Sequence, residues 1–414
     1  MIFVLAALIM FFQIVTGGLT LTSDNVINLF NGNAYVLILA IGMVLVVIAG
    51  HIDLSVGSVA AFVGIVVAQS MSIWNLPWYL AIALGLVLGA IIGAWQGFWV
   101  AYVGVPAFIA TLAGMLFFRG ANQFVGNSAS VPVPEAFRSL GAGFLPEIGP
   151  VTGYNNLTVI LGLLVTLFLI IRQIMSRRRG GRFGATLPPV WVTLLRIILI
   201  SGLVLSVTGI FATGRPGTSF PIPGLILAAL IVFYGFIAQR TLVGRRIYAV
   251  GGNKKAAELS GVNGKAVDFL VMANMGVLAA LAGMIFVARS SAAGPADGLG
   301  WELDAIAAVF IGGAAVSGGV GTVLGAFIGG LVMAVLNNGL QLLGVGADLT
   351  QMIKGLVLLL AVAVDVYNKS QGRPSIMGLL ARAFRQKPVL ESVNQSSPAP
   401  DPGDASRGRT SSTD

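Results

Sequence analysis

His51, Asp53 and Ser55 stand within one short stretch, AGHIDLSVGS from Ala49 to Ser58, and His51 is the chain's only histidine. An imidazole, a carboxylate and a hydroxyl so close together could titrate, contact a polar cargo or cap a helix. The runs on either side, MVLVVI and VAAFVGIVVAQ, hold no charge. An ionisable group in such surroundings is expensive, so it implies a function, a partner or a break in a helix. A protein-only zinc site is disfavoured, because one histidine and no cysteine leave too few ligands of the usual type.

The elements that must position these residues are membrane helices. Of the 414 residues, 57% are hydrophobic and only 9% charged, and the mean hydropathy is +0.93. Soluble domains carry about a quarter charged residues. Apolar runs of spanning length predict helices near 2–16, 28–49, 54–72, 78–102, 105–123, 157–172, 188–211, 223–238, 267–288, 302–317, 320–342 and 349–367. The fold class is therefore all-α, a polytopic transmembrane helix bundle of about 10–12 spans occupying residues 1–368.

The net charge of +9 is best explained by topology rather than by nucleic acid. Three segments, 172–182, 240–265 and the tail after Tyr367, hold 18 of the 24 cationic residues. Alternating spans put all three on one side, and the positive-inside rule makes that side cytoplasmic. Both termini then fall in the cytoplasm. The opposite loops contain Asp24, Glu135, Glu147, Asp297 and Asp348 and few bases. The first span begins at Met1 without a basic region or a cleavage site, so it is expected to be a retained helix rather than a signal peptide. Residues 369–414 form a cytoplasmic tail. From about 388 its Ser, Pro, Asp and Gly content cannot bury enough apolar surface to fold, and disorder is expected.

Fifty-five glycines lie mostly inside apolar runs. Small residues at every fourth position let helix backbones approach closely in lipid. The run VLGAIIG, Val87–Gly93, recurs as VLGAFIG at Val323–Gly329, which points to an internal repeat of the kind transporters use.

Catalytic machinery is sparse. No G-x-x-x-x-G-K-[ST] loop is present, and the acidic residues are scattered rather than clustered for magnesium. The chain is read as a transport subunit rather than an enzyme. Polar residues within the spans are mainly neutral amides, among them Gln96, Asn274, Asn337 and Asn338. Such amides suit a neutral, hydroxylated cargo, although bonding helix to helix is their commoner use. A secondary, ion-coupled carrier is the alternative. It would need an intramembrane carboxylate on the path, for which Glu302 and Asp365 are candidates at predicted span ends.

The inward loop 240–266 contains LVGRRIYAVGGNKKAAELSGVNGK. Asn253 is placed to cap a short helix over Lys254, Lys255, Ala256, Ala257, Glu258 and Leu259, and Gly261, after Ser260, to end it. A short helix lying across the inner face is a docking element.

Together AGHIDLSVGS, GRRIYAVGGNKKAAELSGVN and ELDAIAAVFIGGAAVSGGVGTVLGAFIGGLVMAVLNNGL resemble the permease subunits of bacterial ABC importers for monosaccharides. The similarity extends from about Val26 to Asp365. The His51 form of the IDLSVGS motif and the arginine-rich hairpin around 172–223 bring the pattern nearest the xylose and multiple-sugar permeases. The resemblance implies a second permease copy, a cytoplasmic ATPase that holds ATP and magnesium, and a periplasmic sugar-binding protein. The permease itself would need no cofactor. It also implies that Asn253–Gly261 is the coupling helix seated in the ATPase. The family usually has a longer basic N-terminus than Met1–Phe3 supplies, and Ala314, Ala315 and Val316 replace a polar centre in its third glycine-rich motif.

For the opening stretch, the preceding span should reach the cytoplasmic side near Gly50, and Asp53 and Ser55 should stand where a helix begins near Leu54. There a carboxylate and a hydroxyl satisfy free N–H groups and meet the positive end of the helix dipole. Direct contact with sugar, or a charged gate, is the competing reading.

Overall fold

The computed structural model describes residues 1–150, 152–182, 189–214 and 217–370. Among them the chain is almost wholly helical: α1 (Ile2–Val15), α2 (Ser23–Ile48), α3 (Val56–Ser72), α4 (Trp78–Phe98), α5 (Ala107–Val125), α6 (Glu135–Ala142), α7 (Asn156–Arg182), α8 (Val190–Ala212), α9 (Ile222–Arg240), α10 (Leu242–Gly252), α11 (Lys254–Leu259), α12 (Gly264–Ser290), α13 (Trp301–Ile311), α14 (Val323–Leu342) and α15 (Ala347–Ser370). A two-stranded antiparallel ladder pairs β1 (Val131–Pro132) with β2 (Ala292–Ala293). Among the described residues, eight helices are long and apolar enough to cross a membrane. The chain is a multi-pass membrane protein. Its contacts divide at Asp365, so Met1–Asp365 is one compact unit, and the expected tail beyond about 388 lies outside the described residues.

Each expected apolar run contains a helix, but α13 corrects one boundary. It ends at Ile311 rather than near 317, because the sequence GGAAVSGG then takes left-handed backbone at Gly313, Gly318 and Gly319, which glycine adopts without the Cβ penalty. The loop 240–266 also holds more structure than expected. Before the short helix comes α10, whose first turn is capped by Thr241 Oγ1 accepting from the Gly244 amide.

α2 and α12 form the centre. The core residues Leu37, Ile41, Met43, Met272, Met275 and Leu278 are fully enclosed, which lipid-facing helices such as α8 are not. α4 crosses α12 in the antiparallel sense on a glycine stripe. A Cβ at Gly85 would meet Met284, one at Gly89 the Gly276 carbonyl, one at Gly93 the Met272 carbonyl and one at Gly97 the Phe269 carbonyl. Backbones this close gain van der Waals contact that lipid cannot supply.

The same contacts expose an inverted repeat. α2 runs opposite to α12, since Gly32 meets Arg289 and Gly42 meets Met275, whereas α3 runs parallel to α12, with Gly283 against Ala60 and Gly64 against Val287. α14 runs opposite to α13, with Gly325 against Gly312 and Gly329 against Ala308. It also runs opposite to α2, because Gly321 meets Ile48 and Gly330 meets Leu37. Thus α2–α3–α4 and α12–α13–α14 are two three-helix units of opposite direction, each with a short middle helix. The recurring VLGA(I/F)IG segments occupy the third helix of each. Opposed repeats around a central pair of broken helices are a transporter architecture.

Candidate translocation and coupling site

The stretch from Gly50 to Ser55 does not turn at the end of the bundle and remain there. Gly50 takes φ +89 and residues 51–55 form no helix, so α3 starts at Val56 rather than near Leu54. Gly57 there lies against the Gly298 carbonyl and the Glu302 carboxylate, at the start of α13. The N-termini of the two short helices therefore meet head to head, level with the middle of α12.

Asp53 and Ser55 are both buried at this junction, and their bonds account for the aspartate. Asp53 Oδ1 accepts from the Ser55 amide at 2.8 Å and from Ser55 Oγ at 2.6 Å. The serine proton is thus committed, so Gln96 Nε2 donates to Ser55 Oγ at 2.7 Å. Thr111 Oγ1, on α5, accepts from the Leu54 amide at 3.2 Å. A loop and two helices are tied by one polar chain. The carboxylate serves the serine that precedes α3 rather than the amides of its first turn, which corrects the expected capping geometry.

His51 belongs to a second cluster at the basic end. Its Nε2 lies 2.9 Å from Asp268 Oδ1, at ion-pair distance rather than in hydrogen-bond alignment. Lys254 Nζ donates to Asp268 Oδ2 at 2.7 Å. Asp268 is 1% exposed and Lys254 48% exposed, so the carboxylate is the enclosed member. One buried acid on α12 thereby joins the first residue of α11 to the stretch that leads to α3. Nothing in local sequence marks Asp268, because its partners come from two remote segments.

The short helix has the expected limits. Asn253 Oδ1 accepts from the Ala256 amide, and Gly261, at φ +84, follows the last turn. Only Ala257 of α11 is buried, while Leu259 is 91% exposed. Glycines bring the rest of this end together. Gly319 donates to the Ile48 carbonyl at 2.8 Å, and a Cβ on Gly251 would strike that same carbonyl. Tyr248 donates its hydroxyl to the Gly321 carbonyl at 2.7 Å. Burial pushes that phenol above its usual range, so it stays a donor. Three segments therefore share one backbone junction: the end of α2, α10, and the glycine-rich run before α14. Ala314 and Ala315 are buried within it.

The remaining amides stand elsewhere. Asn274 Oδ1 accepts from the Tyr234 hydroxyl at 2.5 Å. Asn338 and Asn25 exchange two bonds of 2.8 Å. Asn337 is likewise away from the junction on α14, and its buried Oδ1 has no hydrogen-bond partner. Of the expected path residues, Asp53, Ser55 and Gln96 come together, His51 is one cluster away, and Asn274, Asn337 and Asn338 do not join them. Sequence reasoning placed Glu302 only at a span end. Its carboxylate is instead buried at the head-to-head junction, with Oε1 3.8 Å from Arg119 Nη2 and Oε2 unpartnered.

Residues 25–362 match the family described as branched-chain amino acid transport system / permease component. That match covers most of the chain. The chain belongs to this permease family. It is 40% identical over 371 residues to the xylose transport system permease protein XylH of Escherichia coli, covering 89% of this chain and 91% of the relative. The Haemophilus influenzae protein of the same name is 37% identical over 372 residues, covering 90% and 96%. The ribose import permease protein RbsC of Escherichia coli is 35% identical over 350 residues, covering 84% and 87%. No solved structure matches.

Proposed function

We propose that the chain is the membrane-spanning subunit of an ATP-driven importer that moves a neutral monosaccharide from a periplasmic binding protein into the cytoplasm. Xylose or a related pentose or hexose is the cargo this reading favours, in keeping with the names of the relatives. A second copy of the permease completes the path, and a separate ATPase docks on the basic end and hydrolyses ATP with magnesium.

The observation that carries the proposal is α11. A capped helix offers Leu259 almost wholly to solvent, while its first residue, Lys254, is tied through buried Asp268 to the stretch that begins α3. An isolated exposed leucine needs no explanation, but one on a helix anchored to the interior makes a lever. Motion of an ATPase groove against Leu259 and Glu258 would pass through Lys254 and Asp268 to His51 and so to the head-to-head junction. Opening that junction would free Glu302, Ser55 and Gln96 to meet sugar hydroxyls.

The experiment is uptake with purified permease, ATPase and binding protein in proteoliposomes. Leu259→Glu and Glu258→Lys should insert normally yet lose ATPase association and transport. Normal transport by both variants overturns the coupling role. Uptake that follows an ion gradient and ignores ATP favours the secondary carrier instead. Competition by free sugars, and none by sugar phosphates, is expected of a neutral-cargo path.

A further inference from the structure

The hairpin of α7 and α8 has a chemistry that transport does not use. From 156 to 214 it carries six arginines, Arg172, Arg177, Arg178, Arg179, Arg182 and Arg196, and no aspartate or glutamate. α8 buries only Phe211 and Ala212, at its end. α8 meets the bundle at its far end, where Phe211 packs edge-to-face against Phe30 and Ser23 donates to the Ile210 carbonyl. Toward the basic end α7 and α8 pack on each other.

There they part around an open groove of about 460 Å³. Ile174, Leu194 and Ile197 line its deeper wall, and Arg177 and Arg178 its rim. Arg177 Nη1 donates to Thr193 Oγ1 at 2.6 Å across the groove, which fixes one guanidinium in place. Trp191, exposed on the first turn of α8, is of the type that marks the level of lipid headgroups. Cations at the rim, aliphatic walls beneath and an indole at the boundary reproduce the order of a phospholipid, from phosphate to acyl chain.

We infer that this groove is a binding site for an anionic phospholipid, whose phosphate meets Arg178 at the rim and whose acyl chain lies along Ile174, Leu194 and Ile197. Charge complementarity selects the occupant: a zwitterionic lipid brings its own cation to a hairpin whose sequence carries no acid to receive it. Basic pockets between helices on the cytoplasmic side hold such headgroups. The site is independent of the transported cargo.

Native mass spectrometry of the purified full-length permease, with phosphatidylglycerol, cardiolipin or phosphatidylcholine added, tests the site. The anionic lipids should stay bound and phosphatidylcholine should not. Arg178→Gln should weaken retention about fivefold, the factor that corresponds to ~1 kcal/mol per basic residue near a membrane surface. Arg245→Gln with Arg246→Gln, in α10, should leave it unchanged and controls for bulk charge. Leu194→Asp tests the acyl wall and should lower binding while the rim is intact. Equal retention of phosphatidylcholine, equal loss in the α10 variant, or displacement by inorganic phosphate alone overturns the site.

Discussion

Asp53 and Asp268 are both enclosed carboxylates, yet they are satisfied in different ways. Asp53 takes its bonds from neutral groups of one neighbour, Ser55. An asparagine offers the same acceptor oxygen, so Asp53→Asn should retain at least about a third of parental uptake per inserted permease, losing only dipole stabilisation of roughly 0.3–1 kcal/mol. Asp53→Leu removes the acceptor and leaves the buried Ser55 amide unpaired, at about 1–3 kcal/mol, so abundance and uptake should fall together. Loss of transport by Asp53→Asn at normal abundance would assign its charge to the path. Asp268 instead depends on side chains from two other segments, the His51 imidazole and the Lys254 ammonium. Lys254→Met should lower uptake per inserted permease about fivefold, corresponding to ~1 kcal/mol once the lysine's exposure is discounted, and Lys254→Arg should restore most of it. Equal uptake by the methionine variant and the parent would remove Lys254 from the coupling chain.

Among the elements, the α4–α12 crossing depends on the absence of side chains. A Cβ at Gly93 would stand 2.6 Å from the Met272 carbonyl oxygen and 2.8 Å from that of Ala273. Both obstacles are backbone, so the helices themselves must separate. Gly93→Ala should destabilise the bundle by roughly 1–3 kcal/mol, the usual range for overpacking. Gly120 in α5 and Gly202 in α8 meet nothing within 4 Å. There alanine relieves the entropic cost of glycine in a helix, and Gly120→Ala and Gly202→Ala should be neutral or stabilising by up to about 1 kcal/mol. Thermal unfolding of the three purified variants in one detergent reads the contrast of sign. A melting temperature for Gly93→Ala at or above the parent's would show that the crossing has slack.

For the whole molecule, the distribution of base predicts which end faces the cytoplasm. The chain has no cysteine, so single introduced cysteines can be labelled from either side without background. Lys255→Cys on α11 should react with an impermeant maleimide only in inside-out vesicles, and Glu135→Cys on α6 only in right-side-out cells. The reverse pattern would invert the orientation and place α11 beyond reach of a cytoplasmic ATPase. This test is independent of cargo.

Hydropathy, caps and glycines determined much in advance, since each acts over one or two helical turns. The all-α bundle, the runs that become helices, the limits of α11 at Asn253 and Gly261, and the repeated VLGA(I/F)IG segments are all legible in the chain. Periodicity could not tell a helix that spans from one that begins halfway, because Val56–Ser72 and Trp301–Ile311 are as apolar as their neighbours. Only tertiary structure decided that α3 and α13 meet at their N-termini, that Asp53 serves Ser55, and that Glu302 and Asp268 are enclosed. Those outcomes depend on backbone approaches between distant segments, Gly57 to Gly298 and Gly251 to Ile48. A polar residue's neighbours across such a contact leave no trace in its own sequence window, and they determine whether its charge is a cap, a tether or a gate.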